Sequence, residues 1–124
     1  MQGLHLTADL HDCTCAVSCL CDATWLLARC VQAVTAARLQ AVAQLCHTFA
    51  ATADGPGGVT ATVLLAESHL CLHTWPEQRA VTLDVYVCNF GGDHADQARS
   101  LMDGLCQVFQ PGREQRNSLW RGTA

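Results

Sequence analysis

A chain of 124 residues is long enough for one domain with one core. Half of it is hydrophobic, 15% is charged against about 25% in ordinary soluble domains, and the net charge is -4; that charge argues against a nucleic-acid partner, which needs a basic face, and part of the surface is expected to be hidden against another subunit. The absence of lysine rules out lysine Schiff bases and lysine-anchored pyridoxal phosphate, so any imine chemistry needs a carbonyl from another source.

The N-terminus lacks a basic segment followed by an apolar run, so no secretory signal is expected. The apolar run Val63 to Ala66 is far too short to cross a membrane. Nine cysteines cannot all pair within one chain, and with no export signal they are expected as mostly reduced thiols in the cytoplasm.

In chain order, Leu4, Leu6, Ala8 and Leu10 alternate with His5, Thr7, Asp9 and His11, the pattern of a half-buried strand. Cys13, Cys15, Cys19 and Cys21 follow as two Cys-x-Cys pairs. They admit two readings. Four thiolates could bind a metal, but Cys-x-x-Cys is the commoner zinc spacing and the neighbours Ala16, Val17 and Leu20 suit packing. Asp22 is a good N-cap for a helix reaching about residue 38, with Trp25 expected in the core. Ala41 to Phe49 predicts a second strand, and Thr52 to Gly58 a loop.

Val59 to Ala66 predicts a third strand whose end, Val63-Leu64-Leu65-Ala66, is apolar on both faces and expected buried. Glu67-Ser68-His69 is a polar break. Leu70 to Trp75 predicts a fourth strand, stopped by Pro76, and Ala80 to Val87 a fifth. Asp93 can cap a second helix from about His94 to Val108. Residues 110–124 are mostly polar: Leu119 and Trp120 form a short docking strand, or the tail is loose. The expected fold is α+β, a two-layer sandwich with two helices on one face of an antiparallel sheet.

The polar break carries the chemistry. A serine between two strands is by default a turn residue, and a histidine on a strand is by default a hydrogen-bonded one; here a carboxylate, a hydroxyl and two imidazoles crowd Glu67 to His73, the ingredients of nucleophilic and acid/base chemistry.

Ala66-Glu67-Ser68-His69-Leu70, with His73-Thr74-Trp75-Pro76-Glu77, resembles the signature of the prokaryotic S-adenosylmethionine decarboxylase proenzymes. The opening Gly3-x-His5-Leu6 with Asp9, and Leu83 to Cys88, are similar to that family too. The resemblance implies a single domain over residues 1–124 that cuts itself between Glu67 and Ser68 into 1–67 and 68–124, the family's β and α chains. Ser68 becomes a covalent pyruvoyl cofactor, which forms the Schiff base with substrate. By the same resemblance His73 is the processing acid/base, Thr60 a hydroxyl that helps processing, and Cys88, twenty residues past Ser68, the catalytic proton donor. Phe49, Trp75, Glu77 and the freed Glu67 are implied as substrate contacts.

The implied reaction converts S-adenosylmethionine to its decarboxylated form and CO2 for spermidine and polyamine synthesis, in a homodimer of processed protomers with active sites at the interface. The family's aromatic, glycine-rich run after Trp-Pro-Glu is replaced here by Gln78-Arg79-Ala80-Val81-Thr82. That departure leaves arginine or ornithine open as the substrate of the same chemistry. A non-catalytic, metal-binding module built on the four clustered cysteines is the rival from another class.

Overall fold

The computed structural model describes residues 1–122. Its elements are β1 (Gly3–His11), α1 (Ser18–Cys21), α2 (Ala23–Ala36), β2 (Ala41–Thr48), β3 (Val59–Leu65), β4 (Ser68–Trp75), a 3₁₀ turn (Pro76–Gln78), β5 (Ala80–Cys88), α3 (Ala95–Phe109) and β6 (Arg113–Arg121). The six strands form one antiparallel sheet in the order β2-β3-β4-β5-β1-β6. α2 packs on β2 and β3, and α3 on β1 and β5, so one face of the sheet is covered and the other is open. This is the expected α+β sandwich.

Period-two alternation decides which side chains meet the helices. Leu4, Ala8 and Leu10 of β1, Leu70 and Leu72 of β4, and Val81 to Val87 at alternate positions of β5 are buried. α3 supplies seven buried residues at helical spacing, Ala95, Ala98, Leu101, Met102, Leu105, Cys106 and Phe109. Each large side chain among them contributes about 1.5–3 kcal/mol by leaving water. The Asp22 carboxylate accepts the Trp25 N–H at 3.1 Å and starts α2, while the Asp93 carboxylate accepts the Ala95 N–H at 2.9 Å and starts α3.

Three expectations need correcting. Trp25 is half-buried rather than core, its ring stacked under the Arg29 guanidinium at 5.0 Å. Leu64 is not buried but 48% exposed, because its face of β3 is the open one. The tail is neither loose nor short: β6 is a nine-residue edge strand paired with β1 along its whole length, Gly3↔Arg121 to His11↔Arg113. All its residues are exposed, so backbone bonding holds it, with Arg116 bridging Asp103 at 2.5 Å and Glu114 at 2.9 Å.

Of the two readings of the cysteine-rich segment, the geometry favours packing. Cys13 and Cys15 are buried, and burial pushes their thiols up, Cys15 to about 11, away from the thiolate a metal needs. The Arg79 side chain donates to the backbone carbonyls of both and pins the segment. Among the described residues the four sulfurs do not converge as a ligand set.

Thr74 is the buried polar residue on which the site's framework turns. Its hydroxyl accepts the Val59 N–H at 2.8 Å and donates to the Leu20 carbonyl at 2.6 Å, tying α1 and the start of β3 to β4. Thr74→Val keeps the shape and orphans both groups. We expect it to lower unfolding free energy by about 1–3 kcal/mol in a urea titration; an unchanged midpoint would show that these bonds are not needed.

Candidate active site

The β3–β4 hairpin turns through Ala66 and Glu67 alone, since Leu65 pairs directly with Ser68. Glu67 takes up the turn with φ +52, a left-handed conformation that costs a residue with a Cβ roughly 1–2 kcal/mol. Four other non-glycine residues share such a φ, so the strain by itself marks nothing. What sets Glu67 apart is that its carbonyl carbon is bonded to the nitrogen of Ser68, whose hydroxyl is fixed.

Ser68 Oγ accepts the backbone N–H of Cys88 at 2.9 Å. Cys88 closes β5, and its Sγ lies 3.8 Å from the Glu67 carboxylate. Opposite it on β1 stands Gly3, where a Cβ would come 2.5 Å from the Val87 carbonyl oxygen; the close approach of β1 that frames Cys88 needs a glycine. A cavity of about 120 Å³ opens here, lined by Leu39, Ala66, Ser68, Cys88, Phe90 and His94 among others.

The remaining expected residues gather elsewhere. Thr60 and His73 are direct cross-strand partners, with Thr60 Oγ1 2.8 Å from His73 Nδ1. The Trp75 ring lies 6.1 Å from that of His73. These three, with Phe49 and Glu77, line a second cavity of about 460 Å³ beneath the 50–58 loop. That loop is closed at its neck by the Phe49 N–H donating to the Gly58 carbonyl at 2.9 Å. Asp54 and Glu77 are the carboxylates of the lining, His73 is its imidazole, and no arginine joins them.

The expected site is therefore in two parts. Glu67, Ser68 and Cys88 sit at one end of β4; Phe49, Thr60, His73, Trp75 and Glu77 sit at the other. Five residues of extended chain separate Ser68 from His73, roughly 17 Å, and the odd spacing turns their side chains to opposite faces. Within one chain His73 cannot reach the Ser68 Cα proton, and Glu67 is not in the cavity of the other expected substrate contacts.

Two further arrangements were not foreseen from sequence. On the open face Asp84 Oδ1 lies 2.7 Å from His5 Nε2 and 3.3 Å from His69 Nε2. The three could ligate a metal by proximity, their ligand atoms all lying within 4.8 Å of one another. However, the Arg121 guanidinium lies 3.0 Å from His5 Nδ1, and a guanidinium can only donate. His5 must then carry its proton on Nε2 and give it to Asp84, whereas a metal-bound histidine donates from its free nitrogen. The cluster is a hydrogen-bonded one, assembled by the β1–β5–β4 register.

The second is His94, expected only as the start of a helix. Its Nδ1 is 2.6 Å from Gln97 Oε1 and its Nε2 2.7 Å from the Phe90 carbonyl. The Phe90 bond and then the Gln97 bond raise its pKa above the ordinary 6.5, burial opposes them, and Asp93 adds to the rise.

The family model described as S-adenosylmethionine decarboxylase matches residues 4–122. The chain is 34% identical over 120 residues to the S-adenosylmethionine decarboxylase proenzyme of Parasynechococcus marenigrum (strain WH8102), covering 96% of this chain and 82% of that one. It is 37% identical over 110 residues to the proenzyme of that name from Pyrobaculum arsenaticum, covering 88% and 79%. The crystal structure of the adenosylmethionine decarboxylase from Aquifex aeolicus VF5 matches with a TM-score of 0.81 and 29% identity, over 98% of this chain and 92% of that one.

Proposed function

The chain belongs to the S-adenosylmethionine decarboxylase family, and from that premise we propose that it is a self-processing, pyruvoyl-dependent decarboxylase of S-adenosylmethionine, serving polyamine synthesis. The observation that carries the reading is the Ser68 hydroxyl, held on the Cys88 N–H at the tip of a strained two-residue turn, with the Cys88 thiol alongside.

Ser68 Oγ attacks the Glu67 carbonyl carbon. The peptide nitrogen leaves with the hydroxyl proton, and an ester replaces the amide. A base then takes the Ser68 Cα proton, the Cβ–Oγ bond breaks, and Glu67 departs as a carboxylate at the end of chain 1–67. Hydrolysis of the remaining dehydroalanine releases ammonia and leaves the pyruvoyl group at residue 68. That group supplies an electrophile for the substrate amine and a sink for the electrons left by CO2. Cys88 delivers the proton that replaces CO2.

The base is His73, polarised by Thr60, and the 17 Å gap to Ser68 supports its coming from a second copy of the chain. An isologous two-fold pairing sets the His73 end of one β4 against the Ser68 end of the other. The open sheet face suits this pairing: Leu45 and Leu64 are exposed on it at 71% and 48%, apolar area that a partner would cover. Phe49 and Trp75 offer aromatic faces and Asp54 and Glu77 negative charge, a lining suited to an adenine and a sulfonium; a cation over an aromatic face gains about 0.5–2 kcal/mol.

The test is release of CO2 from carboxyl-labelled S-adenosylmethionine, arginine and ornithine by the processed protein. Turnover of the first alone is expected. Turnover of either other instead would keep the chemistry and replace the substrate. Cys88→Ala should still cleave but lose turnover by about 10²–10⁴-fold, the usual worth of a placed proton donor; full turnover would remove Cys88 from its role.

A further inference from the structure

His94 closes the cavity that holds Ser68 and Cys88, and both of its ring nitrogens face acceptors. The Phe90 carbonyl can only accept. Gln97 is fixed as an acceptor too, because its Nε2 donates to the Arg38 carbonyl at 3.0 Å and so turns Oε1 toward the ring. The His94 backbone is held in place by its N–H donating to Asn89 Oδ1 at 2.9 Å. A ring with two acceptors satisfies both only when it carries both protons. We propose, resting on the self-cleavage reading above, that His94 is a fixed imidazolium whose charge speeds cleavage at Glu67–Ser68.

The processing steps gather negative charge beside this ring. Attack by Ser68 Oγ pushes the Glu67 carbonyl electrons onto oxygen. Loss of the Ser68 Cα proton sends the C–H pair into the forming double bond and the Cβ–Oγ pair onto the departing Glu67 carboxylate. His94 gives up no proton in any step; it lowers the cost of the anions through its fixed positive charge. Around it stand Asp93 in the adjoining turn, Cys88 across the cavity with Glu67 beyond, and Arg38 at the end of α2, which reaches it only through Gln97. The N-terminus of α3 opposes the charge, and the two acceptors with Asp93 outweigh it.

The sign follows from the raised pKa. The imidazolium persists above pH 6.5 and is lost as pH rises through its folded value, so cleavage should slow on the alkaline side.

Full-length chain made by cell-free synthesis and followed by intact mass from pH 5.5 to 9 tests this. His94→Gln should cleave about 10-fold more slowly at the acid end, and its profile should lack the alkaline fall. Gln97→Leu should keep the fall but move it to lower pH, a shift that a merely structural role for His94 would not produce. Titration of the His94 ring by NMR in the uncleavable Ser68→Ala chain should give a raised pKa, brought down by Gln97→Leu, which also guards against misfolding of His94→Gln. If His94→Gln cleaves at the wild-type rate with the wild-type profile, the role of His94 is overturned and the Ser68 reading stands. If wild-type chain does not cleave at any pH, both fall.

Discussion

Ser68→Ala is expected to leave the chain whole. Without Oγ there is nothing to attack the Glu67 carbonyl, and no group nearby can replace it: the Cys88 thiol faces the Glu67 carboxylate, not its backbone. A single species of 13.3 kDa is expected at every time point, where the wild-type chain should give two fragments divided at Glu67–Ser68. The C-terminal fragment should resist Edman degradation, because a pyruvoyl end has no amine. Cleavage of Ser68→Ala at the same bond would exclude Ser68 as the nucleophile. The loss of rate is complete on any laboratory timescale, since uncatalysed peptide hydrolysis is many orders of magnitude slower than an enzyme-assisted acyl shift.

His73→Ala and Ser68→Ala are each expected to stay uncut alone and to rescue each other when co-expressed. In a mixed pair the His73→Ala chain still carries Ser68, and the Ser68→Ala chain still carries His73. One of the two sites is then complete, and it cuts the His73→Ala chain. Differently tagged chains read by intact mass would show fragments 1–67 and 68–124 from that chain only. The same pair should regain S-adenosylmethionine turnover from a background of almost none. If His73→Ala cleaves normally on its own, His73 is not the base; if co-expression restores nothing, the site is not shared between copies. The outcome turns on the separation of Ser68 and His73 along β4, which no side-chain rotation can close.

Much of this was legible in the chain itself. Alternation along Leu4–Leu10 and Val81–Val87 and the helical spacing of Ala95 to Cys106 are local patterns, and the elements formed where they lie. Asp22 and Asp93 announced the helix starts, because capping needs only an oxygen and the next two or three residues. Of β6 only a short strand at Leu119 and Trp120 was legible as one reading, and its nine-residue extent was not, since Arg113 to Arg121 bury nothing: an edge strand is held by its neighbour's backbone, which no side-chain pattern records. Leu64 was misjudged for a related reason. An apolar run shows that a residue avoids water, not whether its own chain or another copy covers it.

Sequence by itself determined which functional groups are available, because the hydroxyls of Ser68 and Thr60, the imidazole of His73 and the thiol of Cys88 are fixed by residue identity, and the absence of lysine excludes a lysine imine. Only the tertiary structure decided how they are divided. Hydrogen bonding across β4 and β5 puts Cys88 on Ser68, pairing across β3 and β4 puts Thr60 on His73, and the stiffness of an extended strand keeps the two groups apart. It also brought His5, Asp84 and His69 together and turned His94 into the wall of the Ser68 cavity. Register and strand order are set by the burial of a whole face at once, a sum over the entire sheet that no single stretch of the chain contains.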